Sequence, residues 1–225
     1  MIRAEHLYKS FDGRTVLEDV SMEFDAGKTN LIIGRSGSGK TVLLKTLVGL
    51  HEADQGRIFF DDVCYPALGF EQRKEIRKQI GMIFQGGALL DSSTVRENIR
   101  LPLDLFTNMT AGEKRDRVDF CMERVRLFGA DKLYPSELSG GMVKRVAIAR
   151  ALVNNPKIIL ADEPTGNLDP ASSDEIMELF RRITRDGCAI IMSTHNISNL
   201  ELFPARTIRF SKGHIEELDV KQLFG

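Results

Sequence analysis

Residues 31–50 read LIIGRSGSGKTVLLKTLVGL, in which a glycine-rich loop joins an apolar run to a helix-forming run. The apolar run predicts a strand and residues 41–50 predict a helix, so successive backbone N–H groups of the loop can surround phosphate oxygens at a helix N-terminus. A glycine-rich turn that carries a lysine by chance is not expected to combine strand, loop and helix in this order. The stretch therefore predicts a site for a nucleoside triphosphate.

The residue types in this phosphate loop each suit that prediction. Its glycines supply backbone conformations and a close approach that side chains would block. Lys40 places a positive charge near the β- and γ-phosphates, and the Thr41 hydroxyl is placed to bind Mg²⁺. The predicted nucleotide-binding residues of the loop are Gly34, Arg35, Ser36, Gly37, Ser38, Gly39, Lys40 and Thr41.

The composition limits the classes of protein that the chain can represent. Its 225 residues, 42% of them hydrophobic, suffice for a substantial core in one domain or two tightly joined lobes. The formal net charge of −1 gives no overall field that would recruit nucleic acid. No apolar run approaches the roughly 18 to 20 residues that cross a bilayer, and residues 1–10 are too polar for a signal peptide. We therefore expect a cytoplasmic protein that reaches a membrane only through a partner.

Strand and helix patterns alternate along the chain, with one helical interruption. Between residues 94 and 133 the strand signals disappear and helical segments such as 111–128 dominate. The alternation predicts an α/β fold with a mostly parallel sheet flanked by helices, an N-terminal antiparallel β flap and an inserted helical lobe. Outside the phosphate-loop region, the predicted strands are 3–8, 16–24, 57–61, 157–162, 188–194 and 206–210, and the predicted helices are 71–79, 170–185 and 196–203.

A second glycine motif, LSGGM at residues 138–142, begins another predicted helix. Met142, Val146, Ala149 and Val153 recur at helical spacing and form one apolar stripe. The glycines at the start of the helix leave its N-terminus open to a second phosphate contact.

The sequence ADEP at residues 161–164 places two carboxylates at the end of an apolar strand. There Asp162 can hold the Mg²⁺ shell, and Glu163 is positioned to polarise an attacking water. An exposed acidic strand end is the alternative interpretation. His195 also follows an apolar strand, although a histidine taken alone is more often a satisfied core residue.

With these motifs in this order, the chain resembles the ATP-binding subunits of ATP-binding cassette (ABC) transporters. The resemblance implies the P-loop NTPase fold of ABC ATPases as a single domain, residues 1–225. In it, residues 1–84 and 139–225 form an ATP-binding core lobe and residues 85–138 a helical lobe. It also implies ATP and Mg²⁺ as cofactors and ATP hydrolysis coupled to transport. The implied partners are a second copy of the chain, in a head-to-tail homodimer, and a transmembrane permease. The permease is expected to hold the subunit at the inner face of the inner membrane. No nucleic-acid partner is implied.

The same resemblance implies roles for particular residues. The signature residues 139–141 of one subunit close on the γ-phosphate held by Lys40 of the other, Asp169 lies in a loop that crosses the dimer interface, and Phe11 stacks on adenine or is an ordinary core residue. The implied catalytic residues are Lys40, Gln85, Glu163 and His195; the implied metal residues are Thr41, Gln85 and Asp162; and the implied nucleotide-binding residues outside the phosphate loop are Phe11, Ser139, Gly140, Gly141 and Asp169.

Two parts of the chain resemble different branches of this family. Residues 81–104, GMIFQGGALLDSSTVRENIRLPLD, and Met142 in place of the usual glutamine resemble Mla-type phospholipid-transport ATPases, a likeness that covers about the first 150 residues. Residues 161–170, ADEPTGNLDP, and 190–210 resemble cell-division ATPases of the FtsE type and lipoprotein-release ATPases of the LolD type. Because residues 85–138 are expected to receive the permease, we expect phospholipid transport in a Gram-negative envelope, with cell division or lipoprotein release as the alternative.

Non-transport functions are disfavoured. DNA-repair and chromosome-maintenance ATPases carry the same motifs but place a long coiled coil between phosphate loop and signature, and here only roughly one hundred residues intervene. A regulatory binder without turnover would be expected to lack Glu163 or His195, and both are present.

Overall fold

The computed structural model describes residues 1–196 and 205–218. Its helices are α1 (Lys40–Leu47), α2 (Phe70–Lys78), α3 (Val95–Phe106), α4 (Ala111–Arg124), α5 (Gly140–Leu152) and α6 (Pro170–Arg185), and single turns of 3₁₀ helix cover Tyr65–Ala67 and Pro135–Glu137. Its strands are β1 (Ile2–Phe11), β2 (Arg14–Phe24), β3 (Thr29–Ile33), β4 (Gln55–Phe60), β5 (Val63–Cys64), β6 (Ile80–Ile83), β7 (Ile158–Asp162), β8 (Ala189–Thr194), β9 (Arg206–Ser211) and β10 (His214–Leu218). The helix predicted at 196–203 falls, apart from its first residue, outside the described residues.

The central sheet has six strands in the order β10-β9-β3-β8-β7-β6. The five strands from β9 to β6 are parallel, and β10 returns antiparallel beside β9. Every residue of β3, β7 and β8 is buried, because helices or the second sheet cover both faces of these strands. The predicted α/β fold with a mostly parallel sheet is therefore confirmed.

The second sheet is antiparallel, with the order β2-β1-β4-β5. Its first two strands are longer than predicted and meet at the turn of Asp12 and Gly13, both with positive φ. Their register shifts between Ala4 and Leu7, where His6 has a φ of 50°, which marks a bulge. This sheet is the predicted N-terminal antiparallel flap.

Two hydrophobic clusters lie on opposite faces of the central sheet. Leu31 and Ile33 point into a cluster that contains the buried faces of α3, α4, α5 and α6. Ile32, between them, points into a cluster formed with α1 and the antiparallel sheet. Alternate residues of β3 therefore join both clusters, as the period of a strand requires. None of the described helices is long and apolar enough to cross a membrane.

Capping boxes start both α3 and α4. The Thr94 hydroxyl accepts from the Glu97 N–H at the start of α3, and Thr110 accepts from Glu113 at the start of α4. α4 ends at Arg124 rather than at the predicted residue 128, because Arg126 adopts a left-handed φ of 59° and the chain turns. α1 likewise ends three residues early, before Gly49 with its φ of 69°.

Asn30 is a buried amide in β3 that lacks hydrogen-bond partners. Its side chain is fully buried, and neither its oxygen nor its nitrogen has a partner among the described residues. We expect Asn30→Leu to raise the free energy of unfolding by about 1–3 kcal/mol, because leucine is similar in size and the desolvated amide is removed. Chemical denaturation measures this value.

The matched control for this change is Thr46→Val. Thr46 is equally buried, but its hydroxyl donates to the Val42 carbonyl oxygen at 2.8 Å, so its removal brings no gain. Equal effects of the two substitutions, or a loss of stability in Asn30→Leu, would contradict the prediction.

Candidate functional site

A cavity of about 1060 Å³ opens between the phosphate loop, the carboxyl ends of the parallel strands and the antiparallel sheet. Open parallel sheets bind ligands at this edge, where several strand ends deliver side chains together. The sequence-predicted residues that line the cavity are Arg35, Ser36, Gly37, Ser38, Gly39, Lys40, Thr41, Gln85, Glu163 and His195. The structure thus brings together residues that are up to 160 positions apart in the chain.

Two glycines of the phosphate loop lie where no side chain fits. Gly39 caps the N-terminus of α1 with a φ of 114°, and a Cβ atom there would lie 2.7 Å from a methyl carbon of Val16. A Cβ atom on Gly34 would collide with the backbone oxygen of Phe210. The loop can therefore pack against β2 and β9 only with glycine at these two positions.

Lys40 is folded back over the phosphate loop. Its ammonium donates to the carbonyl oxygens of Gly34 at 2.8 Å and Arg35 at 3.1 Å, and lies 3.5 Å from Oε1 of Glu163. The side chains of Lys40 and Glu163 are 5% and 10% exposed. Lys40 and Glu163 therefore form a largely buried ion pair beside the phosphate loop.

Asp162 is held at both of its carboxylate oxygens. Thr41 Oγ1 donates to Oδ2 at 2.7 Å, and Ser193 Oγ donates to Oδ1 at 2.6 Å. A hydroxyl and a carboxylate side by side suit Mg²⁺, which is usually bound by one or two carboxylates together with substrate phosphates. No cluster of three or more His, Cys, Asp or Glu able to hold a metal occurs within residues 1–196 and 205–218.

Glu163 follows β7 in a strained, left-handed conformation with a φ of 48°. Its N–H lies 3.1 Å from the Ser193 hydroxyl and 3.2 Å from the Ser193 carbonyl oxygen, and its carbonyl accepts from Gly166 at 3.0 Å. Its Oε2 lies 2.8 Å from Nδ1 of His195. Because an ionised carboxylate only accepts, Nδ1 carries the hydrogen in this pair.

Two buried residues at this site were missed by sequence reasoning. Ser193 binds both Asp162 and Glu163, yet it is a plain serine near the end of an apolar strand. Lys144 is 5% exposed on α5, and its ammonium donates to the carbonyl oxygen of Gln85. Burial lowers the pKa of Lys144, and the nearby carboxylates of Glu163 and Asp162 oppose that shift. Only the position of Lys144 inside a largely apolar helix could have signalled its burial.

The signature residues lie outside the cavity that holds the phosphate loop. Ser139 caps α5, and its hydroxyl accepts from the Met142 N–H at 3.3 Å. A Cβ atom on Gly140 would lie 3.5 Å from Leu168, so the signature adjoins the loop before α6. Asp169 caps α6 through the Ser172 N–H at 3.0 Å, and hydrogen bonding by Ser172 holds the pKa of the Asp169 carboxyl below its usual range. The structure describes Ser139, Gly140, Gly141 and Asp169, and none of them lines the cavity.

Phe11 does not line this cavity, and its contact with adenine stays a prediction. Its ring packs edge-on against His51 with centroids 5.4 Å apart, and the Lys9 ammonium lies 5.2 Å above the ring. These two contacts hold the ring where the structure places it. The hairpin instead contributes Arg14, Thr15 and Val16 to the cavity, which sequence reasoning did not identify.

Fold and site together define a phosphate-loop ATPase. Residues 17–166 match the family described as ABC transporter. The chain is 39% identical over 216 residues to the cell division ATP-binding protein FtsE of Escherichia coli K12, which covers 96% of this chain and 97% of that protein. It is also 39% identical to the methionine import ATP-binding protein MetN 1 of Yersinia pestis, over 100% of this chain and 67% of that protein.

Solved structures agree with these sequence matches. A dimeric ATP-binding cassette in a post-hydrolysis state, bound to ADP and Pi, superposes with a TM-score of 0.90 at 32% identity and covers 98% of this chain and 99% of that one. The chain belongs to the ABC transporter family, and within it the chain is an ATP-binding subunit that hydrolyses ATP. The predicted ABC ATPase fold is confirmed.

Proposed function

We propose that this chain hydrolyses Mg²⁺-bound ATP in a head-to-tail homodimer and thereby drives a membrane protein at the inner face of the inner membrane. The observation that carries the proposal is the shared cavity, in which Lys40, Thr41 and Gln85 meet the pair of Glu163 and His195. In this proposal residues 1–84 and 139–225 form the ATP-binding core lobe, and residues 85–138 form the helical lobe that contacts the membrane partner.

Each residue of the cavity has a separate task in the proposed reaction. The N–H groups of residues 34–41 and the ammonium of Lys40 bind the phosphates and are already oriented by the loop. Glu163 accepts a hydrogen bond from the attacking water and orients it toward the γ-phosphate. His195 holds the Glu163 carboxylate in place and contacts the γ-phosphate.

Thr41, Asp162 and Gln85 are the residues proposed to hold Mg²⁺. Thr41 and Asp162 already share a hydrogen bond, and Gln85 lines the same cavity. When bound, the ion neutralises charge on the β- and γ-phosphates. Ser193 keeps the Asp162 carboxylate oriented toward this position through its 2.6 Å hydrogen bond.

The homodimer supplies the groups that the cavity of one chain lacks. Ser139, Gly140, Gly141 and Asp169 lie at the N-termini of α5 and α6, outside the cavity that contains the phosphate loop of their own chain. We propose that they close on the γ-phosphate bound by a second copy. The dimeric state of the structural relative bound to ADP and Pi supports this arrangement.

The proposed membrane partner is of the cell-division type. The 39% identity to FtsE over 96% of the chain, together with the motifs of residues 161–170 and 190–210, supports this choice. None of the relatives described above is a phospholipid transporter, so phospholipid transport stays a prediction from residues 81–104. The equal identity to MetN means that the partner has to be determined by experiment.

The deciding experiment captures the membrane partner. A tagged Glu163→Gln chain, expressed in a Gram-negative host and held in its ATP-bound form, is purified from membranes, and co-purifying proteins are identified by mass spectrometry. We expect an FtsX-type membrane protein, recovered with ATP and lost when Lys40→Met is added to the variant. Recovery of an Mla-type phospholipid permease, a lipoprotein-release permease or a methionine permease instead would contradict the proposed partner.

A further inference from the structure

Lys144 is a buried cation that joins two separate parts of the active site. It lies on α5, is 5% exposed, and donates to the backbone carbonyl oxygen of Gln85. Its ammonium also lies 3.5 Å from the carbonyl oxygen of Glu163. Gln85 follows β6 and Glu163 follows β7, so one side chain spans the ends of two neighbouring strands.

Salt bridging does not explain the burial of this ammonium. In the part of the chain that the structure describes, no carboxylate oxygen lies within 4 Å of the Lys144 ammonium, the limit for a salt bridge. The Lys40 ammonium, by contrast, has Glu163 at 3.5 Å. A buried charge without an ion pair is costly unless hydrogen bonds compensate it. The two carbonyl oxygens are therefore the groups that hold Lys144 in place.

The Glu163 backbone needs support of this kind. A non-glycine residue with a φ of 48° keeps that conformation only when its surroundings fix it. Ser193 holds the N–H side of Glu163, and Gly166 and Lys144 hold its carbonyl side. Movement of this backbone would move the carboxylate relative to the bound nucleotide.

The loop after Gln85 has anchors that do not involve Lys144. Arg150, also on α5, donates to the carbonyl oxygens of Gly87 and Ala88 at 2.6 and 2.7 Å. The side-chain amide of Asn98 binds both the N–H and the carbonyl oxygen of Leu90. Replacement of Lys144 should therefore leave the loop folded and change only the spacing between Gln85 and Glu163.

We propose that Lys144 is a positioning residue for ATP hydrolysis, which fixes the distance between Gln85 and Glu163 by binding the backbone carbonyl of each. The inference rests on the proposed roles of these two residues. It assigns Lys144 no contact with nucleotide, so its removal should slow turnover without weakening the binding of ATP.

The test compares Lys144→Met and Lys144→Gln in the full chain. Methionine keeps an unbranched side chain, one atom shorter than lysine and without a donor, and glutamine restores a neutral donor. We expect Lys144→Met to lower kcat by about 10- to 100-fold, as displacement of a reacting group on the scale of an ångström does. The Kd for ATP without Mg²⁺, measured by calorimetry, and the Tm should stay near wild type, and Lys144→Gln should recover most of the turnover. Lys157→Met, at an exposed lysine that does not line the cavity, is the matched control.

The alternative outcomes separate this inference from the proposed function. Wild-type kcat in Lys144→Met would overturn the positioning role, and so would parallel losses of kcat, ATP affinity and Tm that glutamine does not rescue. Glu163→Gln is measured in the same assay. If Glu163→Gln turned over ATP normally, the proposed role of Glu163 would be wrong. If Glu163→Gln were inactive while Lys144→Met stayed fully active, only the inference about Lys144 would be overturned.

Discussion

Glu163→Gln should bind ATP, lose about 10²- to 10⁴-fold in hydrolysis rate and accumulate as a dimer. Glutamine keeps the size of the side chain but carries no negative charge, so it cannot polarise the attacking water as the carboxylate does. The substitution also removes the carboxylate that pairs with Lys40 at 3.5 Å and His195 at 2.8 Å, so both side chains become free to face phosphate. Binding therefore survives while the chemical step fails, and the γ-phosphate that joins the two copies persists.

Three measurements check this prediction. Phosphate release gives the turnover number, calorimetry gives the ATP affinity, and light scattering after size-exclusion chromatography gives the mass with and without ATP. Glu123→Gln changes an exposed glutamate on α4 in the same way and should leave all three unchanged. A Glu163→Gln chain that hydrolyses ATP rapidly, or that stays monomeric in ATP, would refute the assignment.

Some residues of the candidate site were predictable from the sequence because they lie at or just after the ends of predicted parallel strands. Asp162 is the last residue of β7, Glu163 and His195 directly follow β7 and β8, and Lys40 follows the loop after β3. A correct prediction of the sheet therefore brings these residues to one edge. The phosphate loop was also predictable, because the backbone conformation of such a loop requires glycine at fixed positions of the motif.

Other features depend on packing that no local pattern specifies. Ser193 and Lys144 are ordinary members of a strand and a helix, and only the approach of β7, β8 and the loop after β6 turns them into partners of Asp162, Glu163 and Gln85. The turn after Arg124 depends on a left-handed arginine that helical periodicity does not foresee.

The contacts of Phe11 also depend on packing between distant parts of the chain. Its ring contacts His51, forty residues away, and lies under the Lys9 ammonium, and no local pattern specifies this packing. The predicted contact of Phe11 with adenine stays a prediction.

Lys40→Met should weaken ATP binding by about 10- to 100-fold, since a hydrogen bond to a charged group contributes about 1.5–3 kcal/mol, and should stop turnover. It should also destabilise the chain without nucleotide. The Glu163 carboxylate, 10% exposed, would lose its nearest cation, and an uncompensated buried charge lowers the free energy of unfolding. His195 remains beside Glu163 and limits the loss, so we expect about 1–3 kcal/mol.

A double-mutant cycle tests whether this loss comes from the Lys40–Glu163 pair. Lys40→Met, Glu163→Gln and the double variant are unfolded in denaturant without nucleotide, with Lys45→Met on the same helix as the control. Because glutamine carries no charge, the double variant should be more stable than Lys40→Met alone, with a coupling of about 0.5–3 kcal/mol. Additive effects would mean that the 3.5 Å pair contributes nothing and that Lys40 stabilises the chain only through the Gly34 and Arg35 carbonyls.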